Sequence, residues 1–304
     1  MGQSYPHHLE AVPGLVGVVP LTLRRTASLL LADPPPEPTQ ALKVISLMSS
    51  IRKGVPFPDD GTRETACQCP IGKPTMFQSW QNLLFLHWAV PVKTLEGHLP
   101  QGLRLDDFEG QAWLGIVPFF MRDIRPRRLP AIPGISNFLE LNVRTYVYDE
   151  SGIPGVWFFS LDANRRMACA LGRSLFHLPY RQAKMSTQAG EWIDYRALRN
   201  GETESADYRY RGIGPDRIAE PGSLEFFLLE RYVLYSHEKK KNRLCRARVH
   251  HEPYRFHDAE VERFSTAPLA WNHLPLVPAP PDHACTVPRV DVSIFSLCEV
   301  GTVP

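Results

Sequence analysis

From Met76 onward, hydrophobic and polar residues alternate over short stretches that are separated by turn signals, a pattern typical of β-strands. The run NLLFLHWAV predicts a buried strand, and two hairpins follow, with turns at the segment DDFEG and at Ser151-Gly152. Helical spacing is confined to short segments, of which NRRMACALGRSLF is the longest. Strands with a few short helices at the crossings predict an α+β, mainly β fold built on a curved antiparallel sheet.

Residues 1–75 show neither the strand period nor the helix period. They contain the segments DPPPEPTQ and KGVPFPDDGTRE, and proline-rich stretches of this kind seldom close a core. We therefore expect a mostly disordered tail with a short helix around Leu42 to Ile51. A translation start at Met48 or Met76 is the alternative, and an intact-mass measurement distinguishes the two.

Residues 76–297 are expected to form one barrel domain, followed by a short tail at 298–304. The composition is globular, with 43% hydrophobic and 22% charged residues. A net charge of only +2 gives no reason to expect a nucleic acid or a membrane as partner. The six cysteines have no framework spacing, which is typical of free thiols and predicts a cytoplasmic protein. Neither metal-ligand spacing nor a cofactor motif occurs, so no metal and no cofactor is expected.

One predicted strand has an unusual polar face. Alternate residues of a strand share a face, and from Phe138 one face is apolar while the other carries Glu140, Asn142 and Arg144 in series. The next predicted strand, VWFFSLDA, places Ser160 and Asp162 together on one face. Turned toward solvent, the row is an ordinary half-exposed strand, whereas turned into a barrel it is a polar lining that can hold a small anion. Periodicity does not choose between these alternatives.

Six segments together resemble the uncharacterised bacterial YqjF-like family, which is itself similar to the acetoacetate decarboxylase-like superfamily. The segments are WLGIVPFFM, RPRRLPAIPGISNFLELNVRTYV, GVWFFSLDA, LPYRQAKM, FLLERYVLYS and VHHEPY. The resemblance spans about Met76 to Val292, and its most specific blocks are NVRTYV and LPYRQAKM. It implies a closed, cone-shaped antiparallel barrel with an internal pocket, and it leaves homo-oligomeric assembly open.

The run GRSLFHLPYRQAKM resembles the reactive segment of acetoacetate decarboxylases, in which G-R-E is followed a few residues later by P-K-K. The resemblance places Tyr180 at the Schiff-base lysine and Arg181 at its activating neighbour. A phenol cannot condense with a ketone to an iminium, and a guanidinium stays protonated. Decarboxylation through an imine is therefore not expected. Lys184, four residues further on, is expected at the surface or the rim.

The resemblance also places the decarboxylase's pocket glutamate near Glu140 and its substrate-binding arginine near Gln81. Tyr180 can act as an acid if a neighbouring guanidinium lowers its pKa, and Arg181 can hold a carboxylate or pair with Glu140. His177, in the bend before the proline, is a further acid-base candidate. The candidate catalytic residues are Tyr180, Arg181 and Glu140. The candidate ligand-binding residues are Asn142, Arg144, Arg173, Asp162, Ser160, His177 and Gln81.

Two functions stay open at this point. In the first, the barrel pocket binds a small organic acid or ketone, and any catalysis is lyase, isomerase or hydrolase chemistry without a Schiff base. In the second, the protein is a non-catalytic binding or structural module in which the same polar groups form a closed ion-pair network. Side chains that converge on a cavity of about 300 Å³ or more favour the first, and a filled, mutually bonded network favours the second.

Overall fold

Twelve strands and five short helices form the part of the chain that the computed structural model describes, residues 55–132, 134–277 and 280–300. The strands are β1 Met76–Pro91, β2 Leu103–Leu105, β3 Gln111–Pro126, β4 Phe138–Asp149, β5 Pro154–Ala163, β6 Tyr180–Ala189, β7 Ile193–Arg199, β8 Ala206–Arg217, β9 Val233–Glu238, β10 Arg243–His250, β11 Phe256–Arg263 and β12 His283–Glu299. The helices are α1 Asp60–Cys67, α2 Val92–Glu96, α3 Arg166–Phe176, α4 Leu224–Leu229 and α5 Ala267–Trp271.

All twelve strands join one sheet in the order β10-β9-β5-β6-β7-β8-β11-β12-β1-β3-β4-β2. Further pairings of β10 with β12 and of β4 with β5 close this sheet on itself. The closure makes two rings that share β12, β1, β3, β4 and β5; one is completed by β9 and β10, the other by β6, β7, β8 and β11. Closure leaves few free strand edges. The predicted α+β, mainly β closed barrel is confirmed.

Two strand pairs are parallel, which differs from the wholly antiparallel sheet that the sequence suggested. Strand β5 runs parallel to β6 at one end and parallel to β9 at the other. Helix α3 lies between β5 and β6 in the chain, and parallel neighbours require a crossover connection of this kind. The helical spacing of NRRMACALGRSLF between two predicted strands was therefore the sequence signal for the parallel pair β5 and β6.

Strand β4 lies between two apolar cores, and each of its residues is buried. Leu141 and Val143 pack into the core that contains Trp88 of β1 and the tyrosines of β7 and β8. Phe138, on the opposite face, packs into the core that contains Phe85 and Phe119. Since both faces of β4 are covered, its polar row cannot face bulk water.

Helix α1 lies inside the stretch that the sequence predicted as a tail. Asp59 caps it by accepting a hydrogen bond of 2.8 Å from the backbone N of Thr62. Arg63 is the buried residue of this helix, and its Nη1 and Nη2 donate to the two carboxylate oxygens of Asp106 at 2.6 and 2.7 Å. Arg248 also holds the end of the helix, because its Nη2 donates to the carbonyls of Ala66 and Gln68 at 2.8 and 2.9 Å. Arginine contacts fix the helix instead of an apolar stripe, which is why the hydrophobic pattern did not reveal it. The helix predicted around Leu42 to Ile51 lies outside the described residues.

No described helix has the length and apolar character needed to cross a membrane. All six cysteines are free thiols, in agreement with their irregular spacing.

We expect Arg63→Ala to lower the free energy of unfolding by about 1.5–3 kcal/mol, because it removes charged hydrogen bonds to Asp106 but leaves that carboxylate paired with Arg231 at 2.6 Å. Urea denaturation of the full chain measures this change. Arg196→Ala is the matched control: Arg196 is mostly exposed, 3.6 Å from Asp207, and its loss is expected to cost about 0–1 kcal/mol. Equal effects of the two substitutions would contradict a docking role for Arg63.

Candidate functional site

A cavity of about 400 Å³ lies between the sheet and helix α3. Strands β1, β3 and β4 supply most of its wall, together with the loop that follows β3. The wall is largely apolar, with side chains such as Leu83, Val117, Phe119 and Phe138. Polar side chains enter it mainly from β4. These are Glu140, Asn142 and Arg144, and they are joined by Tyr180 at the start of β6.

Glu140 and Tyr180 form a hydrogen-bonded pair in this wall. The Tyr180 hydroxyl donates to Oε2 of Glu140 at 2.8 Å. Burial raises the pKa of Glu140 to about 8, and the nearby charge of Asp162 adds to the rise although the Tyr180 hydrogen bond opposes it. Burial and the adjacent Glu140 likewise raise the pKa of Tyr180 well above its ordinary value. At neutral pH the pair is therefore mainly a carboxylic acid and a phenol, both uncharged.

A glycine allows Tyr180 to lie against helix α3. A Cβ atom added to Gly172 would lie 2.4 Å from the Tyr180 ring, closer than atoms can approach. The helix ends at His177, which adopts the left-handed conformation with φ 53° and turns the chain toward β6. The Gly-to-Pro spacing of this segment thus brings the Tyr180 ring into the cavity wall.

Arg144 is a buried cation without a carboxylate partner among the described residues. Its side chain is 8% exposed, and its Nη2 donates to the Tyr146 hydroxyl at 3.1 Å and to the Leu228 carbonyl at 3.2 Å. The guanidinium also lies over the Phe85 ring, 5.1 Å from its centre. Its Nε is buried and has no hydrogen-bond partner. The Oδ1 atom of Asn142, one position along the same face, is buried and unpartnered too.

Two histidines behind Arg144 hold the Tyr146 hydroxyl in place. Nε2 of His87 lies 2.8 Å from that hydroxyl, and the Nδ1 atoms of His87 and His283 are 3.0 Å apart. Burial lowers the pKa of His87 well below its ordinary value and the pKa of His283 to about 4. Both rings are therefore neutral and position Arg144 through Tyr146 without adding charge. The sequence does not reveal this group, because its members come from three strands, β1, β4 and β12, that lie far apart in the chain.

Ser160 and Asp162 do not line the cavity with Glu140, in contrast to the expectation from the sequence. The register of β4 and β5 pairs Asn142 with Leu161, so that Leu161 faces the cavity and its two neighbours face the opposite core. There Asp162 accepts from Nε and Nη2 of Arg199 at 2.6 and 2.7 Å, and Ser160 accepts from Nη2 at 2.6 Å. This closed ion pair is part of the structure of the barrel.

Arg173, His177 and Arg181 also lie outside the cavity wall. Arg181 is exposed and lies on the face of β6 opposite to Tyr180, because adjacent strand residues point in opposite directions, so it neither pairs with Glu140 nor lowers the pKa of Tyr180. Arg173 is exposed, and its Nη1 donates to the Tyr180 carbonyl at 3.1 Å. Nε2 of His177 lies 4.0 Å from Glu238.

Gln81 faces away from the cavity, on the face opposite to Trp80, and an irregularity after it returns Leu83 to the cavity side. Asn82 has a left-handed backbone with φ 51°, and the register of β1 with β3 shifts at this point. Trp80 and Leu83 therefore line the cavity, whereas Nε2 of Gln81 donates to Oγ of Ser79 at 3.3 Å on the other face. Periodicity counted along the sequence could not anticipate the irregularity.

None of the described residues in the cavity wall is a lysine. Lys184 is exposed on β6, as expected. The described residues contain no group of three or more His, Cys, Asp or Glu side chains that could hold a metal ion. The cavity is also lined by Met167, Leu171 and Leu175 of α3, which were not among the predicted site residues. Their spacing of four residues places them on one helix face and was the signal in the sequence.

We expect Glu140→Gln to raise the stability of the protein at alkaline pH. The pKa of Glu140 is raised on folding from 4.5 to about 8, so its contribution is fully present below pH 4.5 and is lost as pH rises through 8. The glutamine keeps the shape and cannot ionise. The difference in free energy of unfolding between variant and wild type should grow from near zero to the order of 5 kcal/mol across this window.

Urea denaturation at a series of pH values measures this difference. Glu64→Gln, at an exposed position of α1, is the control, because it makes the same chemical change outside the cavity. A flat profile for Glu140→Gln would show that Glu140 is ionised in the folded protein at neutral pH.

Comparison with known proteins places the chain in a family. The model of the DUF2071 family, described as an uncharacterized conserved protein, matches residues 77–291. The uncharacterized protein YqjF of Bacillus subtilis (strain 168) is 43% identical over 195 residues, which cover 64% of this chain and 79% of YqjF.

Solved structures with the same fold are more distant in sequence. The enduracididine biosynthesis enzyme MppR complexed with pyruvate has a TM-score of 0.52 at 14% identity, covering 76% of this chain and 92% of MppR. An acetoacetate decarboxylase has a TM-score of 0.51 at 13% identity, covering 76% and 90%. An acetoacetate decarboxylase-like enzyme from Sphingomonas wittichii RW1 has a TM-score of 0.50 at 12% identity, covering 76% and 95%. Likeness at these identities shows the fold alone. The chain belongs to the DUF2071 family of uncharacterized conserved proteins and has the acetoacetate decarboxylase-like fold.

Proposed function

We propose that this protein is a cytoplasmic binding protein or enzyme for an organic acid with an apolar body. In this proposal, the carboxylate of the ligand lies against Arg144 and Asn142, and the apolar body fills the remainder of the cavity. The observation that carries the proposal is the buried, unpartnered Nε of Arg144 in the wall of a cavity of about 400 Å³.

The charge balance of the cavity supports an anionic ligand. A buried guanidinium remains protonated, and an unpaired buried charge costs several kcal/mol. Glu140 does not compensate Arg144, because its raised pKa of about 8 keeps it mainly uncharged at neutral pH. A ligand carboxylate accepts from the Arg144 guanidinium and supplies the missing negative charge. MppR, a distant relative in fold, has been solved in complex with pyruvate, which is also a carboxylate.

The apolar wall supports a ligand with more carbon than pyruvate. Phe119, Phe138 and Leu161 surround the space in front of the polar row. A ligand of two or three carbons leaves most of this wall without contact, whereas each added methylene that is buried contributes about 0.8 kcal/mol. Affinity should therefore rise with chain length.

Glu140 is the candidate acid-base residue of this site. Among the described residues of the cavity wall, it has a pKa close to neutral pH, at about 8, which suits proton transfer to or from a ligand. Tyr180 holds Oε2, which leaves Oε1 free to carry the proton toward the ligand. The chemistry that fits is isomerase, lyase or hydrolase chemistry on an oxo or carboxylic acid without an imine.

The alternative, a non-catalytic module with a closed polar network, agrees less well with the geometry. The Ser160, Asp162 and Arg199 network is closed, but it lies on the other face of the sheet. In the cavity, polar atoms of Asn142 and Arg144 remain without partners.

We expect octanoate to bind the full chain more tightly than butyrate by up to about two orders of magnitude, since four more methylenes are buried at about 0.8 kcal/mol each. Octanol, with a similar chain but no charge, should bind much more weakly. Isothermal titration calorimetry measures the Kd values. Equal affinity for octanoate and octanol would show that Arg144 does not receive the carboxylate.

Arg144→Met should weaken octanoate binding about 10- to 100-fold, which corresponds to the loss of a charged hydrogen bond worth about 1.5–3 kcal/mol. Arg196→Gln, at an exposed position outside the cavity, is the control and should bind like the wild type. Should Arg144→Met fail to fold, the comparison of octanoate with octanol on the wild type still decides the question.

We expect no covalent adduct when the protein is incubated with pyruvate or acetoacetate and reduced with borohydride, because Tyr180 and not a lysine faces Glu140 in the cavity. Intact-mass spectrometry checks this result. An adduct that peptide mapping assigns to Lys184 would mean that β6 changes its orientation and that imine chemistry takes place.

A further inference from the structure

The mouth of the cavity is apolar and exposed at the same time. We define the mouth by Met167, Leu171 and Leu175 of helix α3 and by Leu129 and Ile132 of the loop after β3. The three helix residues are 57%, 48% and 57% exposed although they also line the cavity. They are four residues apart, so they form one stripe along the helix. The cavity lining therefore continues onto the surface.

Exposed apolar side chains are concentrated at this mouth. Ten large hydrophobic residues of the described chain are exposed, and five of them belong to the mouth. Helix α3 buries only Cys169 fully against the barrel. Contiguous apolar surface that the fold does not need is typical of a binding surface.

Arginines are frequent in the two segments that contain the mouth. Segments 121–137 and 164–182, which contain the mouth, hold eight arginines and a single acidic residue, Asp123. The exposed arginines among them are Arg127, Arg128, Arg165, Arg166, Arg173 and Arg181. Since the net charge of the whole chain is only +2, the rest of the chain is net acidic. The small total charge conceals a strongly basic region, which the expectation of no membrane partner did not take into account.

We propose that the mouth is a docking surface for an anionic lipid bilayer. Such a bilayer has an apolar acyl region beneath a layer of negatively charged phosphate groups. The apolar side chains of the mouth can enter the acyl region, and the arginines of the same segments can bind the phosphate groups. A second copy of this chain fits less well, since a symmetric contact brings two arginine-rich surfaces together with few carboxylates to balance them.

Because the docking surface surrounds the mouth of the cavity, docking would affect how a ligand enters. An acid with an apolar body partitions into bilayers, and a mouth seated on the bilayer lets it pass into the cavity without crossing water. This route rests on the proposed function, whereas docking itself rests only on the exposed residues.

Flotation of the full chain with vesicles tests the proposal. We expect binding to vesicles of phosphatidylcholine and phosphatidylglycerol in equal parts, and weak binding to phosphatidylcholine alone. Binding should fall between about 0.1 M and about 1 M salt, as the Debye length shrinks from about 10 Å to about 3 Å. The double variant Met167→Asp/Leu175→Asp should lose about tenfold or more in affinity, as should Arg127→Gln/Arg128→Gln.

Matched controls separate the mouth from exposed residues in general. Ile71→Asp/Leu276→Asp changes two exposed apolar residues outside the mouth, and Arg196→Gln/Arg255→Gln changes two exposed arginines elsewhere. Both controls should bind like the wild type, and circular dichroism verifies the fold of every variant.

The proposal is overturned if the mouth variants bind vesicles like their controls, or if wild type binds neither vesicle. It is also overturned if sedimentation velocity shows a dimer that Met167→Asp/Leu175→Asp dissociates, since a second copy then covers the mouth. Octanoate binding does not depend on vesicles, so failure of docking and failure of the proposed function are distinguishable.

Discussion

The burial of β4 on both faces is the constraint on which the site depends. Closure of the sheet places this strand between two cores, and all of its residues are buried. A polar row inside the barrel cannot be solvated by bulk water, so each member needs a hydrogen-bond partner, a counter-charge or a change of protonation state. Glu140 binds a proton, which its pKa of about 8 allows at neutral pH. Arg144 cannot become neutral in the same way, because a guanidinium does not lose its proton.

This difference between the two groups sets the character of the cavity. With Glu140 and Tyr180 uncharged, Arg144 leaves the polar end of the cavity positive, while the surrounding wall is apolar. Tyr180 fits the same balance. A lysine beside Glu140 forms an ion pair and ionises the carboxyl group, whereas Tyr180 donates a hydrogen bond and leaves it neutral.

The sequence predicted the closed barrel, the family and the face shared by the row on β4, because these depend on alternation and on local motifs. It could not predict which residues of neighbouring strands join that face. The position of Leu83 depends on a bulge at Asn82, and that of Asp162 depends on the register of β5 against β4. Helix α1 was missed because contacts over a long sequence separation, from Arg63 to Asp106 and from Arg248 to Ala66, hold it in place.

The net charge of the chain is a weak guide to the charge of any one surface. Net charge sums over the whole chain, whereas binding depends on the charges that the fold collects on one surface. Segments 121–137 and 164–182 are far apart in sequence, yet both contribute residues to the cavity wall, and each carries four arginines. Exposed cations thus lie in the segments that contain the mouth, whereas Arg144 lies in the cavity wall. In the proposed function, the head of an amphiphilic acid meets the Arg144 guanidinium while its chain contacts the apolar wall. Small polar acids should then bind more weakly, because they gain from the charge but not from the wall.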